Sequence, residues 1–171
     1  MSQASKHIEW CLNKARKEIE ECKRVGKKPK HKGLLKVNSD LSEAKKHLNK
    51  AEHNLKAITT FKNNGFSDWS ISAGFYCIYH CFLAIACKFG YESANQTCTI
   101  ALIEFLKEEK VINLDNKFID LLKDESEKNF LDLRESYTYG IEVSVKDQTK
   151  IADLIKSCKE IIDLTKEIIF H

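Results

Sequence analysis

The sequence predicts an all-α fold, an antiparallel up-and-down bundle of four to five main helices with short extra ones. Three observations predict it. One proline and six glycines in 171 residues are too few turn residues for a chain of many short strands. Apolar residues recur at spacings of three and four over long stretches, the period of a helix face. No stretch alternates with period two for long enough to make a strand; Ile-Glu-Val-Ser-Val at 141–145 comes nearest. Hydrophobic residues make up 43% and charged residues 31%, enough for one real core and too apolar for a disordered chain.

The elements follow in order. Ile8, Leu12, Ala15, Ile19 and Cys22 share one face of a first helix from Ser5 to Arg24. Gly26, Pro29 and Gly33 oppose helix, so 25–38 is a basic loop. The chain is thus expected to divide into residues 1–38, a helix and a basic loop, and residues 39–171, a single compact unit. A second helix starts at Ser39 or Asp40, both good caps, and carries Leu41, Ala44, Leu48, Ala51, Leu55 and Ile58 as its stripe. Asn64-Gly65 ends it.

A third helix opens at Ser67 or Asp68 and reaches Phe89. Its Trp69, Ile71, Phe75, Tyr76, Ile78, Tyr79, Phe82, Leu83 and Ile85 point to every side. A helix apolar all round is buried by neighbours or by a second subunit, so this one belongs at the centre of the bundle, with a homodimer built on it. Further helices are expected over 97–110, 116–123 and 125–137. The last runs from the cap Asp147 to Phe170, with Ile151, Leu154, Ile155, Cys158, Ile161 and Ile162 on its stripe. The second and last helices are expected to pack on the third.

The net charge of +3 is unevenly spread. Residues 1–56 hold 15 Lys/Arg against 7 Asp/Glu, and seven of those cations lie between Lys23 and Lys36 with no acid among them. Such a block is either a solvated connection or a contact for phosphate, with Lys27, Lys28, Lys30 and Lys32 as its candidates. The seven cysteines include no Cys-x-x-Cys pair and read as reduced thiols, hence a cytoplasmic protein. MSQASKHIEW has no apolar signal core, and Ile71–Cys87 is too short and too polar for a membrane span. Cys77 and Cys81 share a face but lack two further ligands, so neither metal nor cofactor is expected.

The segment Lys50–Ser93 carries Lys50-Ala51-Glu52-His53, the turn Asn64-Gly65, the aromatic steps Phe75-Tyr76 and Tyr79-His80, and the exit Gly90-Tyr91. A second patch, FLDLRESYTYGIEVSV at 130–145, precedes the final helix. In order and spacing these features resemble the HEPN family over about residues 40–170. The resemblance implies a helical bundle that commonly dimerises. It also implies one of several roles. Some members are ribonuclease toxins of toxin–antitoxin pairs; others are non-catalytic modules that bind nucleotide or RNA or pair with a small nucleotidyltransferase.

Ribonuclease members of the family carry Arg-x4–6-His, the histidine taking a proton from a ribose hydroxyl and the arginine steadying the phosphate. Arg134 matches the arginine, but Tyr139 stands at the histidine position, and a phenol with a pKa near ~10 is a poor base at neutral pH. His80 matches the family's histidine on the third helix, where Ala73 stands at the position seven residues earlier that is often arginine. Ser72, Tyr76 and His80 are four apart and share a face. The sequence therefore points to a ligand groove of Arg134, Tyr137 and Tyr139 with His80 and Tyr76 at its floor. Three readings stand: a non-catalytic nucleotide- or RNA-binding module that pairs with a nucleotidyltransferase, a metal-independent ribonuclease using Arg134 with Tyr139 or His80, and a structural dimeric adaptor.

Overall fold

A computed structural model describes residues 2–123 and 130–171. The element order is α1 (Gln3–Arg24), β1 (Leu34–Lys36), α2 (Leu41–Asn63), α3 (Ser67–Lys88), β2 (Tyr91–Ser93), α4 (Gln96–Glu108), α5 (Asn116–Asp120), α6 (Phe130–Tyr139) and α7 (Gln148–Phe170). The all-α bundle predicted from periodicity is what forms. The beginning of the helix expected at 125–137 falls outside the described residues.

Local chemistry sets the ends of the helices. The Asp40 carboxylate accepts the Glu43 N–H at 2.9 Å and starts α2; Asp147 accepts the Thr149 N–H at 3.0 Å and starts α7. Ser67 does not cap α3. Its hydroxyl instead accepts the Val145 N–H at 2.8 Å, which fastens the α6–α7 connection to the head of α3.

Helix α3 is the axis of the fold. Fifteen of its 22 residues are buried, and Phe75, Ile78, Phe82 and Ile85 are fully enclosed. Helices α2, α4, α6 and α7 pack around it. Each enclosed Phe or Ile contributes about 1.5–3 kcal/mol of transfer free energy. A Cβ on Gly74 would run into the Leu154 side chain of α7, so glycine is what allows α3 and α7 to approach here. By length and composition α3 also suffices to cross a membrane, contrary to the shorter span read from sequence, but 72% of its most apolar window is buried among its neighbours. Its all-round apolarity is thus met within one chain, leaving Trp69 and Tyr76 exposed along it.

Three expectations are corrected. Cys11 and Cys98 are joined in a disulfide that ties α1 to α4, with Cα atoms 5.8 Å apart; the other five cysteines are free. The seven thiols therefore do not all stay reduced, and the cysteine argument for a reducing compartment lapses. Cys77, Cys81 and Cys158 are buried, with the Cys77 and Cys81 thiols pushed up, the first chiefly by its hydrogen bond to Cys158 and the second by burial. Residues 141–145 form no strand, as expected, but two short strands form elsewhere. Among the described residues the strands are β1 and β2, paired antiparallel with Leu34 opposite Ser93, each too short for alternation to be visible. Finally, 25–38 is not loop throughout: 25–30 are exposed, but the end of the segment is β1 and is anchored. Gly90, at φ +75°, turns the chain out of α3 beside Val37, whose N–H donates to the Gly90 carbonyl at 2.8 Å. Ile8, Cys11 and Leu34 join the same core cluster as Ile78 and Phe82.

Candidate functional site

Helix α6 lies on α3 so that two pairs of polar side chains meet at the same helical spacing. Ser72 and Tyr76 are four apart on α3; Thr138 and Arg134 are four apart on α6. The Ser72 and Thr138 hydroxyls are 3.0 Å apart, and Arg134 Nη1 donates to Tyr76 Oη at 3.2 Å. The Arg134 guanidinium carbon also stands 4.5 Å from the Phe75 ring centre and 5.8 Å from that of Tyr76. A guanidinium over an aromatic face gains about 0.5–2 kcal/mol, depending on desolvation. Glu135 Oε1 lies 3.6 Å from Nη2, a loose ion pair at an exposed carboxylate. Arg134 is thus held on an aromatic shelf with its side chain only 16% exposed.

The third polar residue of that α3 face turns to a different helix. His80 Nδ1 is 3.0 Å from Nδ1 of His47 on α2. One imidazole must donate and the other accept, so the pair is satisfied by two neutral rings of opposite tautomer. Burial lowers the His80 pKa to about 4, helped by the His47 and Lys50 charges. Burial also lowers that of His47. Both rings are therefore uncharged at neutral pH, and His80 is a weak base.

The residues predicted for one groove are only partly brought together. Arg134 and Tyr76 meet. Tyr137 is half-buried against the core, while Tyr139 is 81% exposed at the end of α6. His80 belongs with His47, one turn further along α3. The basic loop lies elsewhere again. The Lys32 N–H donates to Glu18, Cys22 Sγ lies 3.7 Å from the Lys30 carbonyl, and His31 Nε2 lies 3.1 Å from Glu92 of β2. Lys27, Lys28, Lys30 and Lys32 thus sit against the end of α1 and the β-ribbon. From Tyr76 to Lys88, where it ends just before β2, α3 climbs roughly 18 Å.

Sequence reasoning missed His47 and the Phe75 shelf. His47 is four residues from Glu43 on a polar helix, and nothing in the spacing announces a partner 33 positions away. Phe75 was visible as a core residue, but its role as a seat for a cation depends on where α6 docks.

An all-α bundle with a buried aromatic axis, and an arginine seated on that axis from a second helix, defines a helical-bundle module with one ordered cation in a polar seam. The family follows from comparison with known proteins. The HEPN domain matches residues 44–168, well over half of the chain, and this chain belongs to the HEPN domain family. No curated protein matches it. The matched span includes His47, Phe75, Tyr76, His80 and Arg134 and leaves out α1 and the basic loop.

Proposed function

We propose that this chain is a HEPN module that binds RNA, or a phosphate-bearing nucleotide, without cutting it. The observation that carries this is the pre-positioned Arg134. Its guanidinium rests on Phe75 and Tyr76, with Glu135 in loose contact at 3.6 Å. Fixing the planar fork in advance reduces what a phosphate must order on binding. Tyr139, exposed five residues on, offers a face for a base to stack on. Tyr137, beside Arg134 on α6, is half-buried and serves as wall.

The same surroundings argue against strand cleavage. Tyr139 supplies a phenol where a base is needed. His80 is engaged with His47, and a pKa of about 4 puts it well below the range that suits a general base at neutral pH. The reading therefore has no catalytic residue.

We also propose a homodimer through the head of α3. Phe66 and Trp69 are about half exposed there, and the Ser67–Val145 bond brings in the connection that bears the still more exposed Ile141 and Val143. A patch of this kind suits a self-complementary contact. Pairing with a nucleotidyltransferase is a further proposal that the family suggests.

The test is fluorescence anisotropy with a labelled RNA oligonucleotide and with ATP at two salt concentrations. Arg134→Ala is expected to weaken binding by about 1–3 kcal/mol, and the same RNA is expected to remain intact on incubation. RNA cleavage abolished by Arg134→Ala would replace this reading with the ribonuclease one. Binding indifferent to Arg134 would replace it with the adaptor.

A further inference from the structure

We infer that the outer face of α1 is a second binding surface, one for a single-stranded nucleic acid, with Trp10 as its stacking platform. At 3.6 residues per turn, Lys6, Trp10 and Lys17 form one stripe, opposite the buried Ala4, Ile8, Cys11 and Ala15. Trp10 is 54% exposed, which is unusual for so large a side chain on an otherwise polar face. Its ring is flanked by two polar side chains of the same helix. Lys14 Nζ stands 5.0 Å from the indole centre, and the His7 ring lies 5.9 Å away.

The stripe ends at Arg24, and the basic loop lies on the other, core-facing side of α1. Lys32 and Lys30 are fastened to Glu18 and Cys22, so the run from Lys23 to Lys36 folds back along the last turns of α1. Of the acids nearby, Glu18 accepts the Lys32 N–H and Glu21 pairs with Arg24, while Glu9 and Glu20 flank one side of the stripe. Lysines following an exposed ring are the arrangement that tracks a backbone and stacks a base. Beside the ring, His7 opens on a cleft of about 500 Å³ whose walls include Gln3, Gln96 and Thr97, with Glu104, paired with Lys123, and Glu108, which accepts the Ser2 hydroxyl, further in. Gln3, Gln96 and Thr97 both donate and accept hydrogen bonds, as base edges require.

A membrane surface fits less well. A helix lying in the headgroup region needs its apolar face for the acyl chains. In α1 that face is spent on the core, and Cys11 is bonded to Cys98. The surface also lies outside the span that matches the family, so it adds to the Arg134 site and does not restate it. This inference rests on the nucleic-acid reading above, but on different residues.

The full chain carries two tryptophans, so Trp69→Phe leaves Trp10 as the only one. That protein is titrated with oligouridylate, with oligothymidylate, and with phosphatidylserine-containing vesicles, following tryptophan emission. Quenching by the oligonucleotides is expected. Equal responses would indicate backbone and stacking contacts, and a stronger response to RNA would indicate contacts to the 2′-hydroxyl. In the wild-type background, Trp10→Ala is expected to weaken binding roughly 5- to 100-fold, the usual effect of losing one stacked base. Lys6→Gln with Lys17→Gln is expected to reduce the salt slope by about 0.7 for each phosphate that the two lysines neutralise. Binding that depends on Arg134 without Trp10 quenching would overturn the α1 surface and leave the Arg134 site standing. Absence of all binding would remove both. A response to vesicles alone would overturn the inference in favour of a membrane surface.

Discussion

Arg134 of α6 donates to the Tyr76 hydroxyl of α3 at 3.2 Å while its guanidinium covers the Phe75 ring. Ring stacking and phenol thus make separable contributions. Tyr76→Phe keeps both aromatic faces and removes only the acceptor. It is expected to cost about 0.5–1.5 kcal/mol of stability, measured by urea unfolding. Phe75→Leu removes the shelf and part of the core together, and is expected to cost more and to loosen RNA binding at Arg134.

The His47–His80 pair predicts a pH dependence of stability. Both pKa values are lowered in the folded chain, so the unfolded chain binds more protons as pH falls. The stability from neutral burial is present above the unfolded value of ~6.5 and is lost as pH falls towards the folded value of about 4. Urea midpoints between pH 7 and 4 should therefore fall, and His80→Phe should flatten that fall relative to wild type. An unchanged slope would mean that the pair does not titrate this way.

The Cys11–Cys98 bond, 87 residues apart in sequence, predicts a thiol count of five under denaturing, non-reducing conditions. Cross-linking a loop of this length stabilises by about 4–5 kcal/mol in the chain-entropy view. Reduction is expected to lower the melting temperature in calorimetry, and Cys98→Ser to remove the response to reductant. Seven titrating thiols would refute the bond.

Gly74 predicts a packing defect on enlargement. Alanine there meets Leu154 of α7. Gly74→Ala is expected to destabilise by about 1–3 kcal/mol, the usual cost of overpacking, although alanine favours helix locally. Leu154→Ala in the same chain should recover part of that loss, and a double-mutant cycle measures it.

Much of the fold was legible in the sequence because helices write their burial locally. The stripe of α2, the all-round apolarity of α3 and the caps Asp40 and Asp147 are relations among residues a few positions apart, which the chain enforces by itself. Arg134 was legible through its matching position in a family segment, and Ser72, Tyr76 and His80 through their spacing of four. What each of these touches was not. The partners Thr138, Arg134 and His47 lie 66, 58 and 33 residues away and are chosen by how α6 and α2 dock on α3. The two short strands and the disulfide are likewise long-range pairings with almost no local pattern. Local periodicity therefore determined which residues face inward. Only the packing of helices against one another decided which polar groups meet, because that depends on crossing geometry and close approach at places such as Gly74, and neither is encoded within a single turn.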